Sequence, residues 1–547
     1  MSQDVLHAVR LMAVVTMSII ATTLVPSASP QALGSAYGNS LSFAPVVLYD
    51  AGYAPYSVAI GDLNGDGRPD LIVGNQACSY YECAGKIGVL VNNGDGTFQK
   101  MAQHFSGGWI AQSVAVSDVN GDGKNDVLVA HSCGSRTNCN NGIIGVLLGD
   151  GNAGFQPFKT YSSGGWQAYS IRVADLNRDG HPDLVVANQC GDALCTQGSV
   201  GVLLGSGDGT FQTPVKYYSA GWGAQWVAIG DVNGDHAPDV IVANFCGGAP
   251  NCGVGVLIGN GDGTFQLAVP YASGGHNAYA VLIAELNGDG RPDLVVSNTC
   301  VDGGCTTDGT IGVLFGNGDG TFQPSVTYNA GARNPGSLAI GDFDADGNPD
   351  LVMTVCPEGM YCYGQLGVLL GNGDGGFQPA TNYTLGGGDT RCVAVGDLNG
   401  DGKPDVVAAI RNKSSDSNTG ALGVLLNTNS SDKLPPSIAV FVTPKHLWPP
   451  NGKMVSVTVS GKIVDSGSGV ATGSLQYVVS DEYQRIQPAG MFRLDSAGNF
   501  RFTILLRASR EGYDRQGRQY LIRISADDNA GNRAEKWASV VVPHDRR

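Results

Sequence analysis

Seven short acidic segments hold the residues of this chain best suited to chemistry. In the first, DLNGDGRPD, the residues Asp62, Asn64, Asp66 and Asp70 stand at positions 1, 3, 5 and 9, with a backbone carbonyl at position 7. Alternate side chains of a tight turn converge on one point, and hard oxygen donors in that number suit Ca2+. Glycine at position 6 allows the sharp turn. Position 12 is Val73 rather than glutamate and a strand-like run follows at once, so this is no EF-hand. The same positions recur as Asp118, Asn120, Asp122 and Asp126, then as Asp175, Asn177, Asp179 and Asp183, and again as Asp231, Asn233, Asp235 and Asp239. The fifth loop opens on a longer acid, with Glu285, Asn287, Asp289 and Asp293. The sixth has four carboxylates, Asp342, Asp344, Asp346 and Asp350, and is expected to bind most tightly; the seventh has Asp397, Asn399, Asp401 and Asp405. An Asx-rich turn without an ion is the competing reading, because Asp and Asn also cap their own backbone. It weighs most on the fourth and fifth loops, where His236 replaces the position-6 glycine and Glu285 the first aspartate.

The elements that position these loops repeat with them, at a spacing of 54 to 57 residues. Each unit runs from an apolar strand through the acidic loop to a second strand, as in SVAIGDLNGDGRPDLIVGN (57–75), and then through a Cys-containing loop to a GVLV strand. NGDGT supplies the Asp-Gly of a tight hairpin before a fourth strand. Four antiparallel strands repeated radially make a β-propeller blade. The seventh unit stops after GALGVLLN (420–427) without its fourth strand, whereas SFAPVVLYDAGYAP (42–55) precedes the first unit and matches a fourth-strand segment. The N-terminal strand therefore closes the ring, and the expected fold is all-β: a seven-bladed propeller over 37–433 followed by a sandwich over 434–547.

The VAIGDLNGDGRPDL and GVLLGNGDGTF signatures resemble FG-GAP (VCBS-type) repeats, the units of integrin alpha-subunit propellers and of many secreted bacterial proteins. The resemblance spans roughly residues 42–427. It implies seven blades, with up to seven Ca2+ ions held in the loops that join first to second strands, and it implies little about ligand or reaction.

Residues 11–25, LMAVVTMSIIATTLV, form an apolar run after Arg10 and precede small residues, which reads as a signal peptide within 1–36, cleaved between Ala28 and Ala36. An uncleaved anchor is the alternative, although ~20 apolar residues are normally needed to span. Export suits the 13 cysteines. Twelve form six close pairs, Cys78/Cys83, Cys133/Cys139, Cys190/Cys195, Cys246/Cys252, Cys300/Cys305 and Cys356/Cys362, each able to pin a hairpin as a disulfide. A metal site competes there, but the pairs recur without His partners. Cys392 is left over and reads as a buried free thiol.

A net charge of -16 argues against a nucleic-acid partner. Residues 37–433 hold 16 basic and 37 acidic groups, and 22 of those acids lie in the seven loops. On the face opposite the loops, Tyr53, Trp109, Trp166, Trp222, His276, Arg333 and Gly388 occupy equivalent slots, with Tyr56, Tyr169, Trp226 and Tyr279 nearby. These rings are either a platform for sugars or protein partners or a cover over the inter-blade core. Residues 434–547 carry 15 basic against 10 acidic groups and about seven strand-like runs, as expected of an Ig-like sandwich.

A calcium-binding adhesion scaffold for glycan or protein ligands, secreted or on the cell surface, is the leading functional expectation. An exported carbohydrate-active hydrolase or lyase is the alternative. No H-E-x-x-H or G-x-S-x-G occurs, the eight His do not cluster, and the G-x-G-x-x-G at 149–154 is a hairpin turn rather than a nucleotide loop. No enzyme activity is therefore expected.

Overall fold

The computed structural model describes residues 41–76, 85–135, 139–245, 253–301, 308–356, 364–411, 419–429, 435–465, 470–471, 473–481, 486–495, 497–509, 517–527 and 532–543. The signal segment lies outside the described residues, as do Cys78, Cys83, Cys246, Cys252, Cys305 and Cys362. Among the described residues all regular structure is β, and no helix is long and apolar enough to cross a membrane.

The first blade is an antiparallel meander of Pro55–Gly61, Asp70–Asn75, Lys86–Leu90 and Ala102–Phe105. Its second strand, DLIVGN, is buried along its whole length because both faces of the sheet are covered, whereas the fourth, AQHF, is mostly exposed at the rim. Five further meanders of four strands begin at Trp109, Trp166, Ala224, His276 and Leu338. Asp389–Gly396, Asp405–Arg411 and Thr419–Leu425 form the seventh sheet, and its fourth strand is Val47–Tyr53 from the N-terminal end. Val47 pairs with Val424 and Tyr49 with Leu422, so the strand missing from the last repeat is supplied as the sequence pattern requires.

Packing confirms closure. Each pair of neighbouring sheets shares an apolar cluster; the one joining seventh to first contains Val58, Leu71 and Val73 with Val407, Ala409 and Leu422. The same aromatic contact also recurs around the rim. Tyr161 meets Phe211 edge-on at 5.5 Å between centroids, Tyr217 meets Phe265 at 5.5 Å, and Tyr49 meets Phe98 at 5.4 Å across the closure. Edge-to-face pairs of this kind add about 0.5–1.5 kcal/mol beyond area burial.

A second repeated device explains the glycine of the third strand. A Cβ at Gly201 would collide with the Ser163 carbonyl, so only glycine lets the connector approach. Ser163 is then clamped by Asn188, whose Nδ2 donates to the Ser163 carbonyl at 3.0 Å while the Ser163 hydroxyl donates to Asn188 Oδ1 at 2.5 Å. Asn244 and Asn298 hold Ser219 and Ser273 in the same way. In the second blade His131 takes this place.

Strands Ser437–Thr443, Met454–Val464 and Asn499–Arg507 form a three-stranded sheet. A four-stranded sheet is built from Gln476–Asp481, Ile486–Met491, Arg518–Asp527 and Arg533–Val542. Both contribute to one core, with Val457, Val459 and Ile504 from the first and Val479, Ile522, Ile524 and Val540 from the second. This is a β-sandwich.

Candidate metal loops and the opposite face

The seven acidic loops share one backbone. At position 1, Asp62 accepts the Gly65 N–H on Oδ1 at 2.7 Å and the Gly67 N–H on Oδ2 at 2.8 Å. Asn64 Oδ1 accepts from Asp66 N at 3.0 Å, and Asp66 Oδ1 from Arg68 N at 2.9 Å. Position 6 is left-handed throughout, with φ 78° at Gly67 and 67° at His236. His236 still donates its N–H to Asp231 Oδ2 at 2.8 Å. Glu285 reaches the same partners as the aspartates, accepting from Gly288 N at 2.9 Å and from Gly290 N. The substitutions at His236 and Glu285 therefore leave the loop shape intact.

Position 9 does more than its place in the motif reveals. The Asp70 carboxylate is fully buried. Its Oδ2 accepts from Leu63 N at 3.0 Å and its Oδ1 from Asn92 N at 2.9 Å, which ties the loop to the neighbouring hairpin. Asp126, Asp183, Asp239, Asp293, Asp350 and Asp405 repeat both bonds. Burial pushes each of these carboxyls up, the backbone donors oppose it, and the loop's other carboxylates add to it. Asp350 is raised to about 7 and Asp405 to about 6. A repeat alignment places this residue, but only the fold shows that both its oxygens are used on backbone.

A carboxylate has about four lone-pair sites, so oxygens with one N–H partner each keep room for a cation. In the sixth loop, Asp342, Asp344 and Asp350 offer oxygens within 4.8 Å of one another. Asp344 stands where most loops have Asn, and it removes the amide that elsewhere donates to position 5, as Asn177 Nδ2 does to Asp179 Oδ2 at 2.9 Å. The donor set is all oxygen, anionic and partly desolvated, which fits a hard divalent cation.

The opposite face carries the Cys loops. Cys133–Cys139 and Cys190–Cys195 are disulfides, and Cys300 and Cys356 are also disulfide-bonded. Cys392 is free and buried. Trp109, Trp166, His276 and Arg333 each stand opposite the first cysteine of their blade, at Cys133, Cys190, Cys300 and Cys356. Trp222 is the exposed one at 42%, and its indole N–H donates to the Cys195 carbonyl. Tyr53 pairs with Thr419 at the closing strand. All but Tyr53 thus brace the Cys hairpins.

Three residues further along, Tyr56, Gln112, Tyr169, Gln225, Tyr279 and Arg391 come together around one small pocket at the channel mouth, and Gly336 holds the equivalent place ahead of the sixth blade's inner strand. Tyr56 and Tyr279 meet hydroxyl to hydroxyl at 3.3 Å. Below them the Arg172 guanidinium lies over the Trp226 ring at 4.6 Å. Aligning the seven loops and counting back six positions would have found this ring.

The ring of seven four-stranded sheets with one acidic loop per blade defines a seven-bladed β-propeller built from acidic-loop repeats. Residues 78–129, 118–186, 192–242, 244–296, 301–353 and 356–408 match the FG-GAP-like repeat, and 54–77 and 393–425 match the FG-GAP repeat. The chain belongs to the FG-GAP repeat family. It is 29% identical over 224 residues to integrin alpha-IIb of Mus musculus, covering 36% of this chain and 20% of the integrin. Integrin alpha-8 of Gallus gallus is 28% identical over 227 residues, 37% of this chain and 21% of its own length. Phosphatidylinositol-glycan-specific phospholipase D of Homo sapiens is 30% identical over 170 residues, 26% of this chain and 19% of that protein. The chain thus spans about a fifth of the length of these curated relatives.

Proposed function

We propose that this is an exported adhesion or binding scaffold whose propeller is stabilised by up to seven Ca2+ ions and presents its Cys-loop face to an extracellular glycan or protein. Residues 1–36 act as the signal peptide, 37–433 as the propeller and 434–547 as an Ig-like spacer or docking module. The observation that carries the reading is the repetition of one acidic loop conformation in every blade, including the two with altered residues. Positions 1, 3, 5 and 9, with the carbonyl of position 7, would hold each ion. The ion would neutralise the buried position-9 carboxylate and brace the hairpin that it already ties down. Paired cysteines fit an oxidising compartment.

Similarity covers about a fifth of the integrins and of the phospholipase alike and does not separate the readings; acidic loops suited to holding a cation rather than attacking a substrate favour a scaffold over a hydrolase or lyase. Glycan-array binding of the mature protein with and without EGTA tests the reading. Calcium-dependent binding without turnover supports it; calcium-independent turnover of a polysaccharide refutes it.

A further inference from the structure

One blade breaks the channel-mouth ring. The inner strand of the sixth blade is only Leu338–Gly341, whereas the others run seven to nine residues. Pro335, which has no N–H to donate, precedes it, and Gly336 stands where the fifth and seventh blades place Tyr279 and Arg391. A half-open cavity of about 360 Å3 lies beside Gly336 between these blades, on the Cys-loop face. Tyr279, Thr354, Asp389, Thr390 and Arg391 line it, with Phe245 at its edge.

The polar lining is unfinished. Thr390 is 8% exposed and its hydroxyl has no partner among the described residues; Arg391 Nε has none either. Buried donors left so cost about 1–3 kcal/mol each, and the other blades fill this layer instead. Asp389 is ion-paired with Arg391, which in turn lies over the Tyr56 ring at 5.6 Å. The paired charges leave little net charge and offer an acceptor beside donors, a pattern that matches adjacent hydroxyl groups. Aromatic residues at Tyr279 and Phe245 supply apolar surface of the kind that sugar rings pack on.

We propose that this gap is a binding subsite for one neutral pyranose at the end of a glycan, with Asp389 and Arg391 on its hydroxyls and Thr390, whose buried hydroxyl turns about χ1 to reach the cavity, completing the set. The proposal rests on the reading of the Cys-loop face as the binding face and narrows it to one pocket and one ligand class.

The test is calorimetry on the mature, calcium-loaded protein with methyl glycosides of neutral hexoses and 6-deoxyhexoses, beside methyl glucuronide and an arginine-containing peptide. A neutral glycoside is expected to bind at one site per chain. Thr390→Val, nearly isosteric, and Asp389→Asn are each expected to weaken it about tenfold or more. Unchanged Tm values would show that the fold is intact, and Thr390→Val keeps the test decisive if Asp389→Asn unfolds. Full-strength glycoside binding by both variants would overturn the pocket and leave the scaffold reading standing. Binding of the glucuronide or the peptide alone would overturn the neutral-sugar assignment. No ligand for the calcium-loaded protein on the glycan array, or among soluble extracellular proteins, would overturn both.

Discussion

Replacing His131 by Asn is expected to remove an acid-sensitive weak point in the second blade. His131 is fully buried; its Nε2 donates to the Ser106 carbonyl at 3.0 Å, while its Nδ1 and the Ser106 hydroxyl lack partners among the described residues. In the third, fourth and fifth blades an Asn satisfies both serine groups. Burial lowers the His131 pKa from 6.5 to about 4. The unfolded chain therefore takes up the proton first as pH falls. Stability due to the neutral imidazole is complete above pH 6.5 and is lost as pH drops towards 4. That lowering corresponds to about 3 kcal/mol in full, most of which is lost by pH 4.5. Urea or thermal denaturation of wild type and His131→Asn at pH 7.5 and 4.5, both in EGTA, isolates this term, because the raised carboxyls are common to both proteins. Near pH 7.5 the variant should match or slightly exceed wild type, since it satisfies two orphaned atoms. At pH 4.5 it should gain a further ~2–3 kcal/mol, or roughly 3 °C for a unit this large. An advantage of the same size at both pH values would show that His131 is not held neutral, and the reasoning would fail.

Calcium removal should lower Tm, because an ion bound only to the folded state contributes about 2.7 kcal/mol per site at a hundredfold excess over Kd; an unchanged melt after complete chelation contradicts the metal assignment. Asp126→Ala strips the acceptors of Val119 N and Gly149 N, and urea denaturation should show a loss of about 2–5 kcal/mol even without calcium. A double-mutant cycle on Tyr49 and Phe98 should return a coupling of about 0.5–1.5 kcal/mol, which reports closure of the ring by the N-terminal strand. Titration with a thiol reagent should find no reactive cysteine in the native protein and one per chain after denaturation without reductant, since Cys392 is free and buried. More than one would mean that a Cys pair is open.

Much of this was legible because a repeat states its rules seven times. The blade count, the borrowed strand and the position of every loop follow from period and from the two broken ends, and pairing of Val47–Tyr53 with Thr419–Leu425 realises them. What the sequence left dark depends on contacts between columns that are far apart in a unit. Asp70 reads only as a ligand until Asn92, twenty-two residues later, is seen to donate to it as well. Trp109 and Trp166 read as a cover before a platform, and the register opposite Cys133 and Cys190 shows them bracing hairpins. Glu285 and His236 looked unfavourable by length and by φ, yet each needs only one carboxylate or one N–H in the right place.

Departures from the repeat differ in whether something nearby compensates for them. Glu285 restores the bonds of Asp, and His131 keeps one of the two bonds of its Asn equivalents, so these read as drift within a fixed scaffold. Pro335-Gly336 is different: it shortens an inner strand, deletes a ring side chain and leaves the Thr390 hydroxyl buried without a partner among the described residues. Drift constrained only by stability would tend to narrow that gap, since a larger side chain is allowed at position 336, where φ is not left-handed. Gly336→Gln, the residue that Gln112 and Gln225 place in this layer, is therefore expected to keep or raise Tm while it abolishes glycoside binding. A marked loss of Tm would mean that the gap is required by packing and not by a ligand. The contact at stake is with Thr354 Oγ1, 2.6 Å from a Cβ at that position, and rotation of one short side chain about χ1 relieves it.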